Sequence, residues 1–295
     1  MTANTLSKLS RPQAGSLRRD RAAGNLVTYL LLFAGSAVML LPLAWMVTTA
    51  FKQTFEVFMF PPRWIPERLV WENFTQVFTM MPFGRFMLNT VLIVQLNIIG
   101  NLVSCSIVAF AFARLKARGK NVMFYLVLST MMLPFQVTLI PQFVLFRELK
   151  WIDTFLPLVV PGFFANAYQV FLLRQFFQGI PKDLDDAAAI DGSSILGIFW
   201  HIILPLSGPI LITTAIFSFL YHWNDFLAPL IYLNSESNRT LALGLASVLT
   251  YPQGGQGQWQ VLMAASTIAL LPCLVVFFIG QKFFIQGIAL TGLKG

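Results

Sequence analysis

The sequence has very little charge for its length. Only 11% of its 295 residues are charged and 57% are hydrophobic, whereas a soluble domain carries about 25% charged residues. A helix needs about 20 apolar residues to cross a bilayer, and in lipid each backbone polar group must be satisfied within the chain. We therefore predict an all-α membrane protein with about six transmembrane helices, at about 26–51, 86–113, 121–146, 154–173, 202–226 and 259–281.

Several chemical signatures are also missing. The chain has no GxxxxGK[ST] phosphate loop and no HExxH or GxSxG pattern, so we do not expect it to hydrolyse ATP or to bind a cofactor itself. Its two cysteines, Cys105 and Cys273, fall inside predicted spans and have neither disulfide nor metal spacing. His201 and His222 are isolated. These absences argue against an enzyme, and no metal site is predicted.

The net charge of +8 predicts membrane orientation rather than nucleic-acid binding. Lys and Arg concentrate in cytoplasmic loops of membrane proteins. The N-terminal segment 1–25 is basic, and the connection between the second and third spans contains Arg114, Lys116, Arg118 and Lys120 without an acid. We therefore expect both termini and this connection in the cytoplasm, in the inner membrane of a prokaryote, with 1–25 and 286–295 as cytoplasmic tails around a membrane domain at 26–285.

The first outside loop contains a second helical pattern. Trp71, Phe74, Val77 and Phe78 recur at helical spacing. This pattern predicts an amphipathic helix at the membrane surface, where aromatic residues are common.

The connection between the fourth and fifth spans predicts a short helix over 181–192. Pro181 suits a first helical turn, and Asp183, Asp185 and Asp186 suit the positive end of the helix dipole. Three alanines favour the helix, and Gly192 suits its C-terminal cap. Leu184, Ala187, Ala188 and Asp191 would share one face. On these physical grounds alone, an ordinary interfacial helix with an acidic start is an equal alternative.

The spacing of this segment resembles a known motif. Asp186-Ala187-Ala188, then Gly192, then Ile202, Leu204 and Pro205 are similar to the EAA loop of permeases that serve ATP-binding-cassette importers. Asp186 stands where that loop usually has Glu, which keeps the charge and shortens its reach. The resemblance implies that Asp183, Leu184, Asp186, Ala187, Ala188, Asp191, Gly192 and Pro205 couple the permease to an ATPase.

Further residues resemble the carbohydrate-uptake branch of these importers, the maltose and glycerol-phosphate type. They are Trp223-Asn224-Asp225-Phe226, Trp71-Glu72-Asn73-Phe74, and Gln286 and Gly287 near the C-terminus. The resemblance implies the type I importer fold of the MetI-like permeases. It also implies a second homologous permease, two cytoplasmic ATPase subunits that bind ATP and Mg, and an extracytoplasmic solute-binding protein. Gln286 and Gly287 would reach the ATPases.

Polar residues within the spans are candidates for the solute pathway, because such groups usually face the protein interior or water. Asn89, Asn97 and Asn101 lie on one side of the second span, and Asn166, Tyr168 and Gln169 interrupt the fourth. Hydrogen bonding between helices is the alternative for the asparagines. Trp223, Asn224 and Asp225 fall near the outer surface, where they would form an outer gate or cap a helix.

The expected function is import of a sugar or sugar-like solute, driven by ATP hydrolysis on separate subunits. An ion-coupled secondary transporter is the alternative. It would need titratable groups in the membrane and commonly has repeated halves, whereas Asp225 is the one acidic candidate and no internal repeat is evident.

Overall fold

The chain is described here from a computed structural model, which places residues 14–248 and 258–292 and describes side chains for 25–248 and 258–283. Residues 1–13 of the predicted N-terminal tail, together with 249–257 and 293–295, lie outside the described residues. The α-helices are α1 (Ala14–Ala50), α2 (Thr54–Val57), α3 (Glu72–Met80), α4 (Phe83–Arg114), α5 (Lys120–Ser129), α6 (Phe135–Glu148), α7 (Leu156–Val159), α8 (Ala167–Gly179), α9 (Asp183–Ile190), α10 (Ile195–Ile198), α11 (Leu204–Leu206), α12 (Gly208–Trp223), α13 (Leu227–Tyr232), α14 (Leu241–Ser247) and α15 (Trp259–Gly292).

Among the described residues, four helical segments are long and apolar enough to cross a membrane by themselves. They are Asn25–Ala50, Phe83–Arg114, Leu156–Gly179 and Trp259–Phe283. Two further segments pass the same test as bent pairs, α5 with α6 and the segment Ile195–Leu206 with α12. The structure is thus an all-α membrane fold, with six spans if each bent pair is one span.

The bends are a feature that apolar run length does not reveal. The third span turns by 95° between Met132 and Phe135, where Pro134 begins α6. Proline disfavours helical backbone at the preceding residue, and Leu133 is extended, at φ −81° and ψ 113°. The fifth turns by 78° at Ser207. The fourth is interrupted between Phe163 and Ala167, where Ala165 has a φ of +37°.

Helix α4 is the central element of the fold. It packs against α8 and α12, while α15 packs against α1 and α12. One apolar cluster joins Phe110 and Ala113 of α4 to Phe177 of α8 and Ile203. A second joins Phe86 of α4 to Trp223 and to α15. We call residues 183–206, which lead from α8 to α12, the arm. The end of the molecule at Arg114 is the arm end, and the end at Phe83 is the far end.

The span Asn25–Ala50 lies at the edge of the fold. None of its most apolar window is buried within the chain, although α1 packs along α15. An apolar helix whose surface is so little buried by its own chain is suited to contact with lipid or with another membrane subunit.

The helix predicted over Trp71–Met81 is present as α3, and one of its sides packs against the rest of the chain. Trp71 and Phe78 are exposed, while Asn73 and Val77 are buried and α3 packs against α15. The reason is Asn73, whose Nδ2 donates to the carbonyl oxygens of Ala50 at 2.8 Å and Lys52 at 2.9 Å. This buried amide caps the end of α1 and turns the Asn73 side of α3 inward.

Both terminal segments continue helices. Helix α1 begins at Ala14 and α15 extends to Gly292. Residues 14–25 and 286–292 are therefore helical continuations of the first and last spans, and their position in the cytoplasm stays a prediction.

Candidate functional site: the projecting arm and the span interior

A projecting arm, residues 183–206, leads from α8 to α12. It begins with α9, whose first turn contains Asp183, Asp185 and Asp186, where carboxylates are favourable to the helix dipole. The helix has eight residues and is shorter than the predicted range 181–192, and Pro181 precedes it instead of entering its first turn. The backbone of Lys182 already has helical angles at the N-cap, so the difference lies within the usual latitude of helix boundaries.

Gly192 ends α9 as the sequence predicts. Its φ is +82°, a left-handed conformation that glycine adopts without strain. The N–H of Gly192 donates to Ala189 at 3.1 Å and the N–H of Ser193 donates to Ala188 at 2.9 Å. These two bonds form a Schellman motif, which satisfies carbonyl groups at the helix end.

The arm then continues through α10, a π-helical turn over Phe199–Ile203, and α11. The N–H of Leu204 donates to the carbonyl of Phe199, and Pro205 has no N–H with which to continue the helical ladder. Ser207 Oγ donates to the Ile203 carbonyl at 2.6 Å, at the 78° bend into α12. Pro205 therefore helps to set the angle between the arm and the fifth span.

The arm exposes apolar side chains at its surface. Leu184 is 42% exposed and Ile190 is 86% exposed, and Ile195, Leu196 and Trp200 are also exposed. Ala187 and Asp191 lie on the exposed side. Ala188 does not share it, since it is buried in the cluster that contains Phe177 and Ile198. The expected common face is therefore divided, since Ala188 packs against the membrane-spanning helices.

Arg114, the last residue of α4, holds the start of the arm. Its Nε lies 3.2 Å from Asp185 Oδ2, and its Nη2 donates to the carbonyl oxygen of Ile180 at 2.8 Å. Both charged side chains are largely buried, at 5% and 16% exposure. Neither Arg114 nor Asp185 is among the residues predicted from the sequence to couple the chain to an ATPase. The four basic residues after the second span indicated orientation but did not distinguish Arg114 from the others.

The three asparagines of the second span bind other parts of the chain. Asn97 Nδ2 donates to the Ile93 and Leu158 carbonyls, both at 2.9 Å, and Asn101 Nδ2 donates to Ser218 Oγ at 3.3 Å. Asn89 Nδ2 donates to the carbonyls of Ser237 and Arg239 at 3.0 and 2.9 Å. Asn97 and Asn101 are buried. This geometry favours helix and loop packing, the alternative to a pathway role.

The polar residues of the fourth span have separate positions. Asn166 caps α8, because its Oδ1 accepts from the N–H groups of Tyr168 at 3.0 Å and Gln169 at 3.3 Å. Gln169 is buried, with its Oε1 3.7 Å from Cys105 Sγ. Asn166 and Tyr168 are exposed. Of the six pathway candidates, these two therefore remain free to meet a solute or another subunit.

The residues predicted at an outer gate have structural partners at the far end. Trp223 is buried, stacks on Phe219 and donates through Nε1 to the Ala269 carbonyl at 3.2 Å. Asn224 Nδ2 donates to the Leu220 carbonyl at 2.8 Å. Asp225 Oδ1 accepts from the Ala228 N–H at 3.3 Å. Asp225 therefore satisfies an N–H group in the first turn of α13, and its part in an outer gate stays a prediction.

Asp153 is a prominent residue that the sequence analysis did not identify. Its carboxylate accepts from the N–H groups of Asn234 at 2.9 Å and Ser235 at 2.8 Å, from the Ser235 hydroxyl, and from Asn238. Its φ is +63°. These bonds, led by those from Ser235, lower the pKa of Asp153 from 3.8 to about 2. Asp153 therefore joins the loop after α6 to the loop after α13.

Two remaining predictions concern the C-terminal segment and metals. Gln286 and Gly287 lie in α15, in the part of the chain whose side chains are not described. Their contact with an ATPase stays a prediction. Over residues 14–248 and 258–292, no group of three or more His, Cys, Asp or Glu side chains is placed to hold a metal ion.

Residues 103–290 match the family model of the binding-protein-dependent transport system inner membrane component. The chain belongs to this family. The matched region begins within α4 and includes the whole arm. This protein is therefore a permease component of a binding-protein-dependent importer, and its several apolar spans place it in the inner membrane.

Individual relatives agree with the family. The permease is 37% identical to the arabinooligosaccharides transport system permease protein of Halalkalibacterium halodurans, over 78% of this chain and 81% of the relative. It is 30% identical to the sn-glycerol-3-phosphate transport system permease protein of Yersinia pestis, over 91% and 97%. Both alignments extend beyond the family match, so the likeness is not confined to the arm.

A solved structure has the same fold. The permease resembles a chain of a bacterial ABC transporter involved in the import of the acidic polysaccharide alginate, with a TM-score of 0.80 at 22% identity. The likeness covers 90% of this permease and 98% of that chain. The predicted type I importer permease fold is confirmed.

Proposed function

We propose that this permease imports a sugar or sugar-like solute into the cytoplasm and is driven by ATPase subunits that bind the arm. The observation that carries this proposal is the exposed apolar surface of the arm. Leu184 and Ile190 project from a short, capped helix that is fastened to the end of α4. Exposed apolar side chains on a short helix of this kind are suited to contact with another protein.

Rigid-body motion is the mechanism that this geometry supports. The arm leads directly into α12 through the bend at Ser207. Its start is joined to α4 through Arg114. An ATPase that moves the arm would therefore displace two spans together, which is the kind of bistable subunit motion that opens and closes transporters.

The choice of a sugar rests on the relatives and on the polar groups of the span interior. The relatives named for transport include arabinooligosaccharide and glycerol-3-phosphate systems. Asn166 and Tyr168 are uncharged, exposed in the middle of the fourth span, and able to bind hydroxyl groups. A phosphate would require Arg or Lys at such a position. The proposal therefore favours an uncharged carbohydrate over a phosphate ester.

Partners and orientation belong to the same proposal. We expect a second, homologous permease beside this one and an extracytoplasmic binding protein at the far end. Two ATPases, which themselves bind ATP and Mg, would contact the arm. Both termini would then face the cytoplasm. A binding protein accompanies a second alginate transporter structure, whose chain matches this permease with a TM-score of 0.65.

Reconstitution of the complete importer in proteoliposomes tests the proposal. Uptake of a labelled oligosaccharide should require both ATP and the binding protein, and should continue when ionophores collapse ion gradients. Uptake that follows an ion gradient without ATP would establish the secondary transporter instead. Uptake of glycerol-3-phosphate but of no oligosaccharide would support the importer mechanism and show that the solute is not a sugar.

A matched pair of variants tests the arm surface. Ile190→Asp should abolish copurification of the ATPase, while Ile65→Asp at the far end should preserve it. Both isoleucines are similarly exposed, at 86% and 81%. A different result for the two variants would therefore come from the position of the new charge and not from the charge itself. A membrane-impermeant maleimide that labels Ile190→Cys from outside intact cells would reverse the proposed orientation.

A further inference from the structure

The guanidinium of Arg114 lies where three helices meet. It occupies the last turn of α4, bonds the carbonyl of Ile180 just after α8, and pairs with Asp185 in the first turn of α9. A planar guanidinium can hold two acceptors at fixed positions at once, which a lysine ammonium does less rigidly. Arg114 therefore defines the position of α9 relative to both membrane helices.

The pair differs from the other ion pairs of the described residues. Arg63–Glu67 and Arg147–Glu148 are exposed and join close neighbours in the sequence, and such pairs contribute little. The side chains of Arg114 and Asp185 are 5% and 16% exposed. The Arg114–Asp185 contact is electrostatic, since Arg114 Nε and Nη1 and Asp185 Oδ1 have no hydrogen-bond partner among these residues, so loss of either charge leaves its partner poorly solvated.

Apolar packing alone provides little restraint for α9. Within this helix Ala188 is the buried residue, whereas Ile190 and most of its neighbours are exposed. An alanine buries a small area, and buried apolar area largely determines the strength of such packing. The ion pair is thus a second fastening, on the side of the helix that faces the spans.

We infer that Arg114 and Asp185 are positioning residues for energy coupling. The pair keeps α9 in one orientation against α4 and α8, so that force applied to the arm moves the spans rather than tilting α9 alone. This inference rests on the proposed function, and it assigns to Asp185 a role inside the permease, distinct from contact between neighbouring carboxylates and an ATPase.

The test measures solute imported per ATP hydrolysed by the complete importer. Arg114→Met should reduce this ratio roughly fivefold, a typical effect for contacting groups in one network, while ATP hydrolysis continues. Arg118→Met removes the same charge from an exposed position in the following connection and should keep the wild-type ratio. An unchanged ratio in Arg114→Met, or an equal loss in Arg118→Met, overturns the inference.

A double-mutant cycle separates the pair from its individual members. Asp185→Asn should lower the ratio as Arg114→Met does, and the double variant should be no worse than either single variant. Losses that simply add would show independent roles and overturn the inference. Absence of ATP-driven uptake in the wild-type importer would instead refute the proposed function, so the two failures are distinguishable.

A spin label provides a readout that does not depend on transport. Placed at Ala189→Cys, an exposed position of α9 outside the proposed ATPase contact, with Cys273 replaced by alanine, the label should be more mobile in Arg114→Met than in Arg118→Met while the ATPase remains bound. Equal mobility in the two variants would show that the ion pair does not restrain α9. A variant that loses the ATPase altogether would show that Arg114 supports assembly rather than coupling, which also overturns the inference.

Discussion

The far end and the arm end of the permease are held together in different ways. At the far end, Asp153 binds the loop at 234–238, Asn89 binds the carbonyls of Ser237 and Arg239, and Asn73 caps α1. These hydrogen bonds join segments that are distant in the sequence. At the arm end, α9 is joined to the spans by Arg114 and by the burial of Ala188.

The contrast indicates which region can move as a unit. Regions with many long-range bonds open only with much of the fold, whereas regions with few buried contacts move at low cost. The far end is therefore expected to be rigid, whereas α9, in which Ala188 is the buried residue, can move at lower cost than the rest of the arm. This difference can be tested by substitutions at each end.

The largest effect is expected at Gly244, at the far end. A Cβ there would lie 2.3 Å from the ring of Phe86, which is fully buried. Gly244→Ala should therefore lower the free energy of unfolding by about 3 kcal/mol, as overpacking does, measured by chemical denaturation in detergent. Gly84→Ala is the control, because a Cβ at Gly84 meets nothing within 4 Å. Equal stability of the two variants would contradict a tightly packed far end.

The next effect is expected at Asp153. Asp153→Ala should destabilise the permease by about 2 kcal/mol, because it removes several bonds to a carboxylate. Because the folded-state pKa is lowered from 3.8 to about 2, the carboxylate contributes stability above about pH 4 and loses it as the pH falls toward 2. Hydrogen exchange at Ser235, corrected for its intrinsic pH dependence, should report this loss.

Asp153→Asn is the control for that measurement. Asparagine tolerates the positive φ of this position but does not titrate, so protection of Ser235 should be weaker and should lack the pH-dependent loss. A wild-type loop whose protection is constant between pH 4 and 2 would show that the charge of Asp153 does not hold it.

The smallest effect on stability is expected at Gly192, in the arm. A Cβ there meets nothing within 4 Å, and the φ of +82° is the source of strain. Gly192→Ala should cost about 1 kcal/mol yet lower solute imported per ATP nearly as much as Gly192→Trp. Gly192→Asn should have the mildest effect, since asparagine adopts this conformation more readily. If Gly192→Trp lowered solute imported per ATP and Gly192→Ala did not, the cause would be the size of the side chain and not the backbone conformation.

Short-range features were accessible from the sequence. Three aspartates, three alanines and Gly192 predicted α9 and its end, because capping and helix propensity act within a few residues. The apolar runs predicted helices that cross the membrane for the same reason. Neighbouring residues were not distinguished: nothing in the sequence separates Ala187, which is exposed, from Ala188, which is buried.

Residues whose role depends on a distant partner could not be assigned. The asparagines of α4 suited either a solute or a neighbouring helix until Asn97 was placed beside Leu158 and Asn101 beside Ser218. Asp153 was an ordinary loop acid until the loop at 234–238 was brought to it. The identity of a polar partner is a property of packing, which one sequence does not reveal.

By itself, the sequence determined that this chain crosses a membrane several times and carries a short capped helix outside it, because apolar run length and capping are local properties. Only the tertiary structure decided the orientation of that helix relative to the membrane spans. Arg114 and Asp185 meet because α4 and α8 pack side by side, and the bends of 95° and 78° in the third and fifth spans are visible only in the structure.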